Sequence, residues 1–343
     1  MNVLIHDKRE SKEFNSSTFS NYKKTEVIKA LTEALNKPDI EGALYWSVEL
    51  LCSGKFKELW DVILLVMSKN IHLGNPKLPI YISGRFEKFR EIVQSGYVDR
   101  ELMLRNSESI RELFGEMIII ICFSSKKPAF EMIKLNRSED FSLELLGPKL
   151  KADSMDWCKR FFRENDPNEI LLPINEFAYH LQKKNLLKCC YWIEWLIDYD
   201  TICRKSKSEI KIDIRDFIRS QEKFKTDCIW IIWELLLDAV KRSEPKKKIM
   251  ASLLDLFSLK YNFAQKKKRR HILYFAVELV TEHVDMSIKI VKDIDKVNSI
   301  KNQLGKLYTA IKKYEQVPDV ISDKERNMKN TMERMKLLYN IKN

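Results

Sequence analysis

Glycine is scarce in this 343-residue chain, which contains eight glycines and nine prolines. Eight glycines amount to about 2% of the residues, whereas average proteins contain roughly 7%. Because glycine supplies the turns of β-sheets and the phosphate-cradling loops of nucleotide-binding folds, its scarcity argues against all-β and doubly wound α/β architectures. Neither G-x-x-x-x-G-K-[ST] nor G-x-G-x-x-G occurs, which argues against an ATPase or a Rossmann enzyme. The composition predicts an all-α fold.

Long apolar runs are also missing. The longest ones, such as Val62–Met67 and Met117–Phe123, are far shorter than the roughly 20 residues that span a bilayer. The first twenty residues are rich in charged and small polar side chains and lack the apolar core of a signal peptide. We therefore expect a soluble protein that is not secreted.

No C-x-x-C pair occurs among the seven cysteines, and most of them lie in apolar runs, which is typical of a reduced, intracellular compartment. His180, Cys189, Cys190 and Cys203 are metal-ligand types that lie close together in sequence. Their separations of nine, one and thirteen residues do not match tetrahedral zinc spacings, and adjacent cysteines rarely bind one ion together. We expect no metal and no cofactor, and interpret the two adjacent cysteines as core residues.

Apolar residues recur three and four positions apart along most of the chain, which predicts amphipathic helices. In the first of these, Val27, Leu31 and Leu35 form one stripe. Asp39 is a suitable N-cap for the next helix, and Gly54 is a suitable end. The predicted helices are 25–36, 39–54, 57–69, 79–94, 111–123, 154–164, 173–199, 226–241, 246–260, 268–285 and 287–315.

Short turns between these helices predict an array of antiparallel helical hairpins. A polar segment, 1–22, precedes them and is expected to become ordered only against a partner. Turn-forming residues at about 147–153 separate an N-terminal helical domain, 23–150, from a C-terminal helical domain, 151–318. No repeat of fixed period is found, which argues against a solenoid.

Two segments near the C-terminus have helical patterns of their own. The predicted helix 287–315 is long, and its apolar residues fit a helix laid along a partner helix. Ser322-x-x-Glu325 is a capping box that opens a predicted terminal helix in the segment 319–343.

The secondary structure of the short apolar run Ile118–Ile121 is ambiguous, because its pattern fits both a helix and a strand.

The richest local pattern is DIEGALYWSVELLCSGKFKELWDVILLVMSKNIHLGNPKLP, residues 39–79. Glu49, Asp61 and His72 could supply acid–base groups there. Carboxylates on helix surfaces are usually solvated or paired with lysine, however, and a histidine just after a helix end is expected to cap carbonyl groups. We therefore favour a scaffold and keep an enzyme as an alternative. The residues expected to support the scaffold are Tyr45, Trp46, Gly54, Trp60, Gly74, Pro76, Trp192, Trp195, Trp230 and Trp233.

The chain is basic, with 61 lysines and arginines against 49 acidic residues and a net charge of +12. This balance favours an acidic partner, such as nucleic acid, an anionic membrane or an acidic protein face. The alternative is a lysine-rich surface that reflects an AT-rich genome.

Three basic runs, 203–211, 241–248 and 265–271, lie next to strongly apolar segments and are expected in loops at helix ends. Loops at one end of a bundle would form a patch suited to phosphate contact. The tryptophans occur at helical spacing, which indicates core positions rather than base-stacking platforms. The predicted contact residues are Arg204, Lys205, Lys207, Lys246, Lys247, Lys248, Lys266, Lys267, Lys268, Arg269 and Arg270.

The sequence DIEGALYWSVELLCSG, residues 39–54, resembles the helical collar of AAA+ clamp-loader relatives that act at replication forks. That region similarly has an acidic residue, ALYW and a helix that ends in glycine. The ATPase domain that it would follow is absent. This resemblance implies a DNA-associated but non-catalytic role.

A broader resemblance covers most of the chain. The segments at 43–82, CCYWIEWLIDYDTICRKSK at 189–207, IWIIWELLL at 229–237 and KKRRHILYFAVELVTE at 267–282 together resemble a helical protein family of the nucleocytoplasmic large DNA viruses. The resemblance transfers no active site. It implies a protein of the virion and the host cytoplasm, built into the particle as a minor capsid component that bridges other viral structural proteins. The alternative is an accessory factor in viral replication or transcription that binds the phosphate backbone of DNA.

Overall fold

The computed structural model describes residues 3–98, 100–317 and 331. In these residues every regular element is a helix, and the only β-type pairing is an isolated antiparallel bridge between Ser17 and Lys23. The all-α prediction is confirmed. Within the same residues, no helix combines the length and the apolar character needed to cross a bilayer.

Most connections between the helices are short. The α-helices are α1 Lys24–Asn36, α2 Ile40–Cys52, α3 Phe56–Leu65, α4 Leu78–Gln94, α5 Glu108–Phe123, α6 Arg137–Asp140, α7 Leu143–Leu146, α8 Leu171–Gln182, α9 Leu186–Lys205, α10 Ile229–Val240, α11 Glu244–Ser258, α12 Gln265–Lys268, α13 Arg270–Thr281, α14 Ile294–Lys301 and α15 Leu304–Lys312. Short 3-10 turns lie at His72–Gly74, Glu101–Asn106, Gly147–Lys149, Lys159–Phe161, Asn168–Ile170 and Glu222–Phe224.

The first helices begin and end where the capping residues predict. The side chain of Asp39 accepts a hydrogen bond from the Gly42 amide at 3.0 Å, which caps α2. Gly54 follows the end of α2 with a φ of +68°, a left-handed conformation that glycine adopts at little cost. A Cβ at this position would also lie 2.9 Å from Leu102 Cδ1. Gly54 therefore sets the reversal between α2 and α3.

The third helix ends before the end of the predicted segment 57–69, because the chain forms a π-helical turn at Val66–Ile71. Such a turn takes an extra residue and shifts the carbonyl groups out of the α-helical ladder. The Ile71 carbonyl accepts a hydrogen bond from the Lys127 amide at 3.2 Å. His72 follows with φ 49° and ψ −130°, a conformation that is rare for residues other than glycine. This turn binds the loop that follows α5.

Helices α5 and α13 lie at the centre of the fold. Each residue of Ile118–Ile121 in α5 is at most 2% exposed, so the ambiguous run is a helix that is apolar on every face. Helix α5 packs against α2, α4 and α14, whereas α13 packs against α9, α10 and α11. Helix α11 also packs along α4. The division into two domains at about 147–153 stays a prediction.

Residues 3–22 pack onto the helices, in contrast to the free polar arm that was predicted. The side chains of Ile5, Phe14 and Phe19 are at most 2% exposed. The Phe19 amide also donates a hydrogen bond to Ser53 Oγ at 2.8 Å. These apolar anchors are few and are separated by polar residues, which is why the sequence pattern did not predict an ordered segment.

The predicted helix at 154–164 is wrong. This segment contains bends and the 3-10 turn at Lys159–Phe161. The Asn175 side chain accepts from the Cys158 amide at 3.3 Å and donates to the Ser154 carbonyl at 2.7 Å. The asparagine therefore bonds backbone groups that a helix would pair.

The predicted helix at 173–199 is two helices, α8 and α9. Lys184 lies between them with a φ of +55°. The side chain of Asn185 then accepts a hydrogen bond from the Lys188 amide at 3.1 Å and caps α9. The apolar pattern continues through the break, so periodicity alone did not predict it.

The long helix predicted at 287–315 is also wrong. Residues 282–293 form a connection, and the side chain of Asp293 accepts from the Lys296 amide at 2.9 Å to start α14. Helix α15 begins only at Leu304. The terminal helix predicted in 319–343, with its capping box at Ser322 and Glu325, lies outside the described residues.

Candidate functional site

A surface groove of about 550 Å³ lies where the 3-10 turn before α4 meets the segments that follow α5 and α13. Four lysines line it, and we call it the lysine groove: Lys126, Lys127, Lys289 and Lys292. No lysine of this groove forms an ion pair with a carboxylate of the described residues.

Gly74 brings two walls of the lysine groove together. A Cβ on this glycine would lie 2.3 Å from the Ser125 carbonyl oxygen and 3.1 Å from the Lys127 amide nitrogen. Only glycine therefore lets the turn before α4 approach the backbone that follows α5. The close approach places the two lysines after Ser125 at the edge of the groove.

A buried acid–histidine pair supports the same wall. Glu278 of α13 accepts a hydrogen bond from the Phe130 amide at 3.2 Å. Its other carboxylate oxygen lies 3.2 Å from His72 Nδ1, a distance typical of an ion pair but without the alignment of a hydrogen bond. The His72 ring packs on Phe275 at 4.4 Å between centroids. These contacts fix the segment after α5 against α13.

The third wall, which follows α13, is tied to the turn before α4. The Asn75 side chain donates to the Ile290 carbonyl and to Ser124 Oγ, both at 3.1 Å. Lys77 Nζ donates to the Met286 carbonyl at 3.1 Å. The groove walls are therefore joined by side-chain bonds to backbone, which makes the groove preorganised.

The electrostatics of the lysine groove favour anions. Burial lowers the pKa of Lys126, whose Nζ donates to the carbonyls of Ile121 at 2.7 Å and Ser124 at 3.2 Å. Asp285, the carboxylate in the lining, accepts from the hydroxyl and amide of Ser287, and these bonds lower its pKa. Lys292 Nζ donates to Ser125 Oγ at 2.7 Å, which holds it at the groove. Lys127, Lys289 and Lys292 are exposed, so their ammonium groups can contact an incoming carboxylate or phosphate.

The predicted contact residue Lys266 lies elsewhere and is buried. It is 1% exposed, and its Nζ donates to Asp200 at 2.5 Å and to both carboxylate oxygens of Asp227 at 2.9 Å. Burial by itself lowers the pKa of Lys266, but the two carboxylates outweigh burial and raise it. Tyr261 Oη also donates to Asp227 at 2.9 Å. We call this group the buried lysine centre, and its lysine cannot reach an external partner.

Several other predicted contact residues are also engaged inside the fold. Arg204 donates to Asp200 at 2.9 Å and lies over the Phe263 ring. Arg269 is 8% exposed and donates to the carbonyls at the end of α11, and Arg270 pairs with Glu194 at 3.0 Å. The runs 203–211 and 241–248 extend across helix ends, whereas 265–271 lies in α12 and at the start of α13. The prediction of free cations was wrong for Arg204, Arg269 and Arg270 because buried carboxylates and carbonyls accept their hydrogen bonds.

The remaining predicted cations differ in exposure. Lys246 donates to the Leu279 carbonyl at 2.6 Å, and Lys267 pairs with Asp198 at 3.3 Å. The exposed ones are Lys205, Lys207, Lys247, Lys248 and Lys268.

Most predicted scaffold residues occupy the core. Trp60, Trp192, Trp195, Trp230 and Trp233 are at most 6% exposed. Gly54 and Gly74 make the close approaches described above, and Pro76 is buried. Tyr45 and Trp46 are only half-buried and pack edge to face at 5.0 Å, so they lie at the surface rather than in the interior.

The candidate acid–base residues have structural partners. Glu49 is fully buried and accepts from the Ser20 amide at 2.6 Å and hydroxyl at 2.8 Å. His72 faces Glu278, and Asp61 is half-buried in α3. The prediction that His72 caps carbonyls differs from the structure, because its ring lies in the apolar core.

The proposed metal-ligand types are likewise in structural positions. His180 lies 3.4 Å from Glu176, and Cys189 Sγ lies 4.0 Å from the Phe177 carbonyl oxygen. The seven cysteines are free thiols. Across the part of the chain that the structure describes, no group of three or more histidine, cysteine or acidic side chains is arranged to hold a metal ion.

The sequence pattern alone does not identify the lysines of the groove. Lys126 and Lys127 lie in SSKKP, which indicates only a turn, and Lys289 and Lys292 lie in a segment predicted as helix. The two pairs are far apart in sequence, and only the tertiary fold joins them. The one local signal is that Lys126 and Lys127 have no acidic neighbour within three residues.

No protein-family model, curated protein or solved structure matches this chain.

Proposed function

We propose that this protein is a non-enzymatic helical scaffold that binds an acidic protein partner in the lysine groove. The observation that carries the proposal is the cluster of four lysines without carboxylate partners in the described residues. The carboxylates of an acidic partner bound in the groove would give these lysines the negative charges that the described residues do not provide.

The interior of the chain supports a scaffold role. Several of its buried ionic groups form structural pairs, such as Arg215 with Asp166 at 2.5 Å and the buried lysine centre. Such pairs hold the surrounding segments in one arrangement. A rigid body with a basic groove is suited to joining other proteins.

The resemblance to the helical family of the large DNA viruses supports a setting for this scaffold. We propose that it is a minor component of the virus particle that bridges capsid or core proteins. Quantitative mass spectrometry of purified particles and of infected-cell extract tests this setting. Abundance in the extract with absence from the particles would contradict it.

Binding of fluorescent polyglutamate, followed by anisotropy, tests the lysine groove. We expect Lys127→Glu, Lys289→Glu and Lys292→Glu together to weaken binding by about tenfold or more, a loss of at least about 1.4 kcal/mol. The matched control is Lys12→Glu, Lys37→Glu and Lys57→Glu, which changes the net charge equally at exposed lysines elsewhere. Equal weakening by the two triple variants would show general charge attraction and would contradict the proposal.

A second candidate function is binding of the DNA phosphate backbone. The exposed ammonium groups of Lys127, Lys289 and Lys292 favour it, because lysine serves as a point charge for phosphate. This function predicts that the groove variant lowers the salt dependence of duplex DNA binding by about three on the logarithmic slope, at about 0.9 per phosphate contact. Polyglutamate binding that depends on the groove, with no groove-dependent DNA binding, separates the first function from the second.

A further inference from the structure

A second cleft lies on another part of the surface, between the C-terminal half of α4, the end of α11 and the segment before α10. It has two connected parts of about 610 Å³ and about 790 Å³. Arg219, Ser258 and Lys260 line both parts, which makes them one continuous cleft. We call it the aromatic cleft, and the lysine groove shares none of its residues.

The smaller part has an apolar floor. Phe86, Phe89 and Val93 lie at helical spacing along α4 and are half-buried. The Trp60 ring supports the two phenylalanines from beneath, with centroids at 5.0 Å and 5.7 Å. Because the aromatic contacts hold these side chains in place, their outer surfaces form a preformed apolar stripe.

The larger part is cationic. Lys223 and Lys260 are exposed and form no ion pair with any carboxylate of the described residues. Arg219 has a side chain that is 82% exposed and lies 3.5 Å from Asp255, a weak surface pair. The cleft therefore places positive charge directly beside the apolar stripe.

The cationic part is held by the buried lysine centre. Tyr261 lines the cleft and donates its hydroxyl to Asp227 at 2.9 Å. The Phe224 carbonyl accepts from Trp230 Nε1 at 2.8 Å, which ties the opposite wall to α10. Lys260 itself has a φ of +42°, a conformation that the neighbouring packing must maintain. The shape of the cleft is thus set by the core.

We propose that the aromatic cleft docks an acidic amphipathic helix of a partner protein. Leucine-type side chains of that helix lie on Phe86, Phe89 and Val93, and its carboxylates meet Arg219, Lys223 and Lys260. The arrangement matches helix-in-groove recognition, in which one face supplies apolar anchors and the flanks supply charge.

The cleft fits such a helix better than single-stranded nucleic acid. Glu87 and Asp255 lie at the rim of the apolar part, with side chains 48% and 42% exposed, and would repel any anion there, whether a phosphate or a carboxylate. A helix can place its carboxylates at the larger, cationic part alone, whereas a nucleic-acid strand carries a phosphate at every nucleotide. Val93 and Leu259 add aliphatic surface that suits leucine-type side chains better than bases. The distribution of charge therefore favours a protein segment.

Anisotropy with a labelled peptide of about 18 residues tests the inference, with leucines at helical spacing on one face and glutamates on the other. The comparison peptide has the same composition in an order that destroys the apolar face. We expect the amphipathic peptide to bind about tenfold or more tighter than the scrambled one. Val93→Ser, and separately Lys223→Glu with Lys260→Glu, should each weaken amphipathic binding severalfold, and circular dichroism confirms that the variants fold.

The matched control is Lys12→Glu with Lys37→Glu, which changes charge equally at exposed lysines outside both the aromatic cleft and the lysine groove and should leave peptide binding unchanged. Equal affinity for both peptides, or equal weakening by the control pair, would overturn the inference. An oligothymidylate of about 20 nucleotides serves as the competing probe. Tight oligothymidylate binding that is lost in Lys223→Glu with Lys260→Glu, without amphipathic peptide binding, would assign the cleft to nucleic acid instead.

Discussion

Lys266 contributes to stability through ion pairs with two buried carboxylates. Its ammonium group lies between Asp200 and Asp227, and Arg204 and Tyr261 complete the partners of these carboxylates. Transferring such charges into the interior is costly, and the pairing offsets that cost only while every member is present. Removing one member of the buried lysine centre is therefore expected to lower the free energy of unfolding by more than the complete group contributes to it.

We expect Lys266→Met to lower the free energy of unfolding by about 3–5 kcal/mol, because it leaves the buried Asp227 without its cation and Asp200 with Arg204 alone. Urea denaturation followed by circular dichroism measures the change. Lys268→Met is the matched control, since Lys268 is exposed two residues away, and should cost less than about 0.5 kcal/mol. Equal stability of the two variants would show that the buried lysine centre does not hold the fold.

The side chain of His271 should make the free energy of unfolding depend on pH. Burial, together with the smaller effect of the charges of Lys69, Arg270 and His72, lowers its pKa to about 4. The tyrosine ring at 5.6 Å, Tyr274, carries no charge that opposes this effect at neutral pH. The folded state thus keeps this histidine neutral down to about pH 4, whereas the unfolded chain binds a proton near pH 6.5.

Stability should therefore fall as the pH decreases from about 6.5 to about 4, by roughly 2 kcal/mol through this side chain. His271→Asn should remove that part of the dependence and leave the rest. Urea denaturation of both proteins at pH 7 and at pH 4.5 measures the difference. An unchanged slope in the variant would show that His271 is solvated in the folded state.

At the scale of elements, two glycines give opposite predictions. Gly84 lies on the exposed side of α4, and a Cβ there meets no atom within 4 Å. Gly84→Ala should raise the free energy of unfolding by about 0.5–1 kcal/mol, because alanine has less conformational freedom to lose in a helix. Gly74→Ala should lower it by about 2 kcal/mol or more, since the new Cβ would overlap the Ser125 carbonyl.

Thermal unfolding of both variants checks the pair. Gly74→Ala should also weaken polyglutamate binding, because the clash displaces a wall of the lysine groove, and Gly84→Ala should not. A Gly74→Ala protein with unchanged stability and binding would mean that the turn relaxes without cost.

Elements with local signals could be predicted from the sequence. The cap at Asp39 and the stop at Gly54 define α2, and the periodic apolar residues of α1 and α4 define those helices. Two of the failures have different causes, a tertiary contact in one and a local N-cap in the other. Asn175 binds the backbone of the segment that was predicted as a helix at 154–164, and Asp293 divides the predicted long helix.

The candidate site was harder to predict than the fold. Composition predicts an acidic partner, but it does not distinguish a lysine in the core from one on the surface. Lys266 lies in the most basic run and is buried, whereas Lys127 lies in a short turn and lines the groove. Only the tertiary fold assigns these roles, because it places Lys266 beside Asp200 of α9 and Lys127 beside Gly74.

At the scale of the whole molecule, the segment before α1 contacts both the middle and the end of the described chain. Asp7 accepts hydrogen bonds from the amide and guanidinium of Arg9 and from the Gln316 amide at 2.9 Å. The Asp7 carbonyl accepts from Arg105 at 3.1 Å. The side chain of Asn106 bonds both backbone groups of Ile5. This segment is therefore hydrogen-bonded both to the 3-10 turn at Glu101–Asn106 and to Gln316.

Asp7→Asn should lower the free energy of unfolding by about 1–3 kcal/mol, because one buried carboxylate oxygen loses its acceptor role. Burial raises the pKa of Asp7, but its hydrogen bonds outweigh burial and lower it. The stabilisation should therefore be present above about pH 4 and be lost as the pH falls below that value. Thermal unfolding at pH 7 and pH 3 measures it, with the exposed Glu41→Gln as control. A loss that is the same at both pH values would contradict the ionic role.

The π-helical turn at Val66–Ile71 carries one more residue than an α-helical turn would. Deleting a single residue there would restore regular winding, and everything beyond it would rotate by about 100° around the helix axis. The His72 ring would then lose its contact with Phe275. The amides of Lys127 and Ala129 would lose the carbonyls of Ile71 and Lys69 that accept their hydrogen bonds. The one extra residue of this π-helical turn therefore sets the orientation of the lysine groove, which is formed by residues that follow it.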